Sequence, residues 1–214
     1  MFSRLGSFAL ALVFSMSASA SLVNIDYTAH ITGTTGDGLG HGVGDQINGS
    51  FVIDLSKAYG QYSNSPTDLN SYAPNTDGLL QSNFATNQNG VNYDFVSIYN
   101  NDPSFQDQLS LTKVLSEGGS VIEDLGVGFY FLGLDWINDF SLDNINLAFN
   151  DSNSLAYSGG SFARFDIANG WLMTDSANLS FDSVKIVSAT VPEPSPLLLF
   201  AFGVIALVIR RKMM

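Results

Sequence analysis

Between residues 21 and 190, apolar and polar residues alternate with a period of two, the spacing of a strand with one face buried. The first such stretch covers 21–31, where Val23, Ile25, Tyr27, Ala29 and Ile31 share one face. Further strands are expected at 46–55, 91–99, 108–115, 125–134, 145–150, 160–167, 171–173 and 178–190. In 125–134, Leu125, Val127, Phe129 and Phe131 lie on one face and Tyr130, Leu132 and Leu134 on the other. A strand apolar on both faces is predicted to be central and buried on both sides. Asn-Gly pairs at 48, 89 and 169, with Gly118-Gly119, supply turn residues that tolerate positive φ. Helical periodicity is absent from this region. The pattern predicts an all-β domain over 21–190, an antiparallel two-sheet sandwich of jelly-roll-like kind.

The two ends follow other rules. Arg4 precedes an apolar run over 5–16, which leads into Ser17-Ala18-Ser19-Ala20. A basic start, a short apolar core and small residues at the cut describe a secretory signal over 1–20, removed between Ala20 and Ser21. At the other end, Val191-Pro192-Glu193-Pro194-Ser195-Pro196 is followed by thirteen residues without a charge, 197–209, and then by Arg210, Arg211 and Lys212. At about 1.5 Å per residue that run covers roughly 20 Å, against a hydrocarbon core of about 30 Å. It is expected to form a short transmembrane helix. The basic cluster stays cytoplasmic and places the body across the inner membrane. Each proline disfavours helix at its predecessor, so the approach to the membrane is extended, the form a protease grips.

The order Pro192-Glu193-Pro194, a short apolar helix carrying Gly203, and the basic end Arg210-Arg211-Lys212 resembles the PEP-CTERM sorting signal. The resemblance covers 191–214. It implies that Pro192, Glu193 and Pro194 are the motif read by an exosortase, that 197–209 is the helix, and that Arg210, Arg211 and Lys212 are the stop. It also implies cleavage near the motif and delivery to the cell surface or extracellular matrix, often alongside exopolysaccharide or biofilm. Signal peptidase and exosortase are then the processing partners, with the inner membrane a transient one.

Charge narrows the partners of the body. The net charge is −12 and the pI about 4.1. Four of the eight bases sit in the end segments, leaving Lys57, Lys113, Arg164 and Lys185 against nineteen of the twenty acids, Glu193 being the other. So acidic a body repels phosphate backbones, which excludes nucleic acid, whereas cations and neutral polymers remain compatible. The absence of cysteine removes thiol catalysis and thiolate metal sites.

Candidate chemistry in the body is sparse. The polar segment 56–89, read as one long loop, carries Tyr59, Tyr62 and Tyr72 among Asn, Ser and Asp, a composition that suits sugar recognition or plain packing. The glycine-rich stretch 33–45 holds neither GxGxxG nor a P-loop lysine and reads as a flexible connection. Asp135, Asp139, Asp143, Asn144, Asn150 and Asp151 are oxygen donors of the kind calcium takes, without EF-hand spacing. His30 and His41 belong to no HExxH, and there is no GxSxG elbow. The expectation is a sorted envelope or matrix protein, non-enzymatic and with no resident cofactor. A lectin-like polysaccharide-binding module, with or without calcium, is the alternative, and a glycan hydrolase the third reading.

Overall fold

Period-two alternation makes one face of each longer strand apolar, and the fold is the way those faces are hidden together. The computed structural model describes residues 21–75, 77–84, 92–102 and 106–190. The signal segment 1–20, the sorting motif Pro192-Glu193-Pro194, the helix expected at 197–209 and the basic end lie outside the described residues, as does Asn89-Gly90. Among the described residues, no helix is long and apolar enough to cross a membrane.

The strands are β1 (Ser21–Thr35), β2 (Gln46–Asp54), β3 (Gly60–Tyr62), β4 (Asp68–Pro74), β5 (Leu80–Ser82), β6 (Tyr93–Asp102), β7 (Gln106–Gly118), β8 (Val121–Tyr130), β9 (Asn146–Phe149), β10 (Gly159–Asp166) and β11 (Leu172–Thr190). The body is all-β and antiparallel, as expected. Its ladders do not divide into two sheets, however. They run as one path, β3-β4-β6-β7-β8-β10-β11-β1-β2-β5, with β9 added beside the second half of β11. The sheet curls, and β5, at one end of the path, packs back against β6 and β7. A single curled sheet thus does the work of opposed layers. The reason lies in β11, whose 19 residues pair with β10 through Ser180 and with β9 from Val184. The alternation of β11 is interrupted there, with Asp182 exposed and Ser183 half-buried between buried Phe181 and Val184, where the strand passes from one partner to the next.

Inside the curl, Val23, Ile25 and Tyr27 of β1 meet Leu109 and Leu111 of β7 and Leu125 and Val127 of β8 in one buried cluster. Phe129 of β8 stacks on Phe181 of β11 with ring centres 5.2 Å apart. One ion pair is buried with them: Lys113 donates to Asp94 at 2.6 Å and to the Asn75 carbonyl at 3.2 Å. Burial holds the Asp94 carboxyl above the usual range, although Lys113 pulls it the other way.

Several local expectations are corrected. The segment 56–89 is no long loop, because it contains β3, β4 and β5. The strands expected at 171–173 and 178–190 are one, since the polar residues between them are taken up by contacts such as Arg164 with Asp175 at 3.0 Å. β8 is central but ends at Tyr130; Leu132 and Leu134 are exposed, and its second face carries Gly126, Gly128 and Tyr130 rather than a second core. Asn48-Gly49 sits inside β2, where Gly49 faces Tyr27 and a Cβ would collide with the tyrosine ring. Gly119 and Gly170, at φ +62 and +79, do make the expected turns. The stretch 33–45 is pinned rather than slack: Asp37 N–H donates to Asp175 at 2.8 Å and the His41 ring stacks on Phe162 at 4.9 Å.

Candidate functional site

The outward face of the β3–β4 hairpin and β6 is aromatic. On β6, Asp94, Val96 and Ile98 turn inward, which leaves Tyr93, Phe95, Ser97 and Tyr99 outside. On β4 the same alternation puts Tyr72 outside, directly opposite Phe95, with Gly60 of β3 on its other flank. A Cβ on Gly60 would lie 2.6 Å from the Tyr72 Cζ, so the Tyr72 ring lies across bare backbone. Around it stand Tyr93 at 5.6 Å, Tyr59 at 6.2 Å, and Tyr62 and Phe95 at 6.3 Å, measured between ring centres. Rings this close usually bury one another. Here Tyr59 is 71%, Tyr62 47%, Tyr93 41% and Phe95 40% exposed.

The hairpin beneath is stiffened by hydrogen bonds. Asp68 accepts from Ser65 N–H at 2.7 Å and Asn64 N–H at 2.9 Å across the turn. The Ser65 amide above all holds the Asp68 carboxyl below the usual range. Asn70 Nδ2 donates to Asp68 at 3.2 Å, and Ser97 Oγ donates to Asn70 Oδ1 at 2.7 Å. A rigid platform of exposed rings beside amides and hydroxyls can stack on the flat face of a sugar ring and read its hydroxyls.

A second depression, of about 570 Å³, lies against β1, β2, β9 and β11. Asp26, Thr28, Asn48, Ser50, Ser183 and Lys185 line it together with Phe149 and with Tyr27, whose side chain is buried. Next to it, His30 Nδ1 meets Asp182 at 2.8 Å, both side chains well exposed. Two of the candidate calcium donors are engaged locally: Asp139 accepts from Ser141 N–H at 2.9 Å and Asp151 from Ser154 N–H at 2.8 Å. Among the described residues, no three His, Asp or Glu side chains gather as they would around a metal ion.

Of the residues singled out from sequence, Tyr59, Tyr62 and Tyr72 come together on this platform, whereas His30 and His41 stand apart in separate surroundings. Sequence reasoning missed Tyr93 and Phe95 as their neighbours. The signal was present in 91–99, where aromatic residues alternate with Asp94, Val96 and Ile98, but nothing local says that this strand pairs with a hairpin hidden in a polar segment.

No curated protein and no solved structure matches the chain. One family model does: the PEP-CTERM protein-sorting motif, over residues 190–212. The match contains Pro192, Glu193, Pro194, Arg210, Arg211 and Lys212. It implies export, transient membrane anchoring through the C-terminus, and processing by an exosortase. The chain thus carries a PEP-CTERM protein-sorting motif over 190–212, which supports an exosortase-sorted exported protein, beside a body that presents an aromatic platform.

Proposed function

We propose that the exported body is a non-catalytic polysaccharide-binding protein, kept at the cell surface or in the extracellular matrix by its hold on exopolysaccharide. The observation that carries this reading is the group of five rings centred on Tyr72, four of them exposed, on a sheet face stiffened by the Asp68–Asn70–Ser97 hydrogen bonds. Exposing that much aromatic surface is unfavourable unless something covers it. A matrix polymer is the ligand such a face suits in the compartment to which the sorting tail sends it. Binding is proposed to need no metal, because rings, amides and hydroxyls suffice for it.

The test is affinity electrophoresis of the processed protein through gels that contain soluble neutral polysaccharide, with and without chelator. Tyr72→Ala removes the central ring and should weaken retention about tenfold or more, the cost of losing an aromatic anchor. Wild-type protein that migrates unretarded in every polysaccharide would defeat the reading. Retardation lost on adding chelator would overturn its metal-free part.

A further inference from the structure

The aromatic platform is one end of a longer feature. The ladders align two rows of outward residues across six strands. One runs Gly60, Tyr72, Phe95, Thr112, Gly126, Ser161, and the other Tyr62, Asn70, Ser97, Ser110, Gly128, Gly159. From β7 onward, every member of both rows is Gly, Ser or Thr. The rows on either side are taller. One holds Val114 and Asp124 in register, and the other Tyr99, Gln108 and Tyr130, with Tyr157 standing edge-on to Tyr130 at 5.7 Å and exposed. Tall sides and a bare floor make a groove that runs perpendicular to the strands and opens onto the Tyr72 cluster.

Two of the floor glycines, Gly126 and Gly128, have no internal cause, whereas a Cβ on Gly159 would lie 3.0 Å from the Leu179 carbonyl oxygen. Gly126 has ordinary negative φ, and a Cβ there would meet nothing within 4 Å. At Gly128 the nearest atoms are the ends of Gln108 and Ser110, at 3.7 and 3.8 Å. Glycine in a central strand is unfavourable, and it often marks a place where something approaches the backbone. At Gly126 and Gly128 nothing in the described chain comes that close, which leaves the backbone open to an approach from outside. Charge says what kind of partner fits. The body carries nineteen acids against four bases, two of which, Lys113 and Arg164, are paired with carboxylates. The floor residues carry no charge at all.

We infer that this groove seats a single uncharged glycan chain in extended form, lying across β7, β8 and β10 with one end stacked on the Tyr72 cluster. The inference rests on that cluster being the sugar contact. Five strand spacings of about 4.8 Å give roughly 24 Å, room for about five pyranose units. The two rows are about 7 Å apart along the strands, the width of one chain and not of two. The ligand is therefore the interior of a polymer rather than a terminal sugar, and an anionic polymer is disfavoured.

The experiment is calorimetric titration of the processed protein with cello-, manno- and malto-oligosaccharides of two to seven units, and with alginate as the anionic control. For at least one neutral series, affinity should rise with length and level off near five or six units. Gly126→Leu adds a side chain where there is open space and favours the strand, so the fold is expected to hold. Hexamer affinity should fall about tenfold or more while the disaccharide is bound as before. Ser161→Trp blocks the same floor from β10 and should act alike. Tyr72→Ala should weaken every length. If both floor variants bind the hexamer as wild type does while Tyr72→Ala does not, the groove is refuted and the aromatic site stands. If no neutral series binds wild type, both are refuted. Alginate binding as tight as the best hexamer would overturn the preference for an uncharged chain.

Discussion

Tyr72 owes its position to what lies under it. Gly60 offers backbone where any Cβ would push the ring away, and the ring in turn covers the glycine. Asp124 shows the opposite balance, a charged group where charge is disfavoured. Burial pushes its carboxyl up to about 6 from an ordinary 3.8. The folded chain then holds that proton over a pH range in which the unfolded chain has lost it. Stability therefore falls as pH rises from about 4 through about 6, and the full penalty remains above that. Asp124→Asn removes the penalty. It should stabilise the protein at pH 7 by on the order of 3 kcal/mol, an upper bound, and change little below pH 4. Thermal unfolding at pH 7 and pH 3.5 checks this, and an equal gain at both would contradict it.

At the scale of elements, legibility followed the length of the alternating run. Strands β1, β2, β7, β10 and much of β11 could be read because five or more alternating positions outvote local noise. β3 and β5 have three residues each, and the alternation of β4 is disguised, since Asn70 and Ser71 are both buried. Such strands exist because neighbours pair with them, which no local pattern reports. The Asn48-Gly49 pair misleads for a related reason: a turn signal was present, but a tyrosine across the ladder needed the glycine. Gly49→Ala should accordingly cost about 1–3 kcal/mol by overpacking against Tyr27. In a domain of this size that lowers the melting temperature by roughly 2–12 °C. A variant as stable as wild type would show that the Tyr27 ring is free to move.

The whole molecule joins an address written in sequence to a surface written only in three dimensions. The address is legible because a sorting motif is a run of consecutive residues, here the match over 190–212 that contains Pro192-Glu193-Pro194. The surface draws a few residues from each of six strands, so only Tyr59, Tyr62 and Tyr72, close in sequence, could be suspected of acting together. Replacing Pro192, Glu193 and Pro194 with alanine should leave synthesis intact and strand the product in the inner membrane of its own host. Alanine lets helix continue through the stretch a protease must grip. Fractionation with intact-mass measurement reads the outcome, and a variant trimmed and released as wild type is would contradict it.

The claim that sorting and surface serve one purpose, retention on exopolysaccharide, is tested most directly in the native host. The quantity to measure is the fraction of processed protein held in the matrix, with and without synthesis of the host's extracellular polysaccharide. The account predicts that cells lacking the polysaccharide still export and trim the protein but lose most of it to the medium. Wild-type protein held equally well in the absence of polysaccharide would contradict the account.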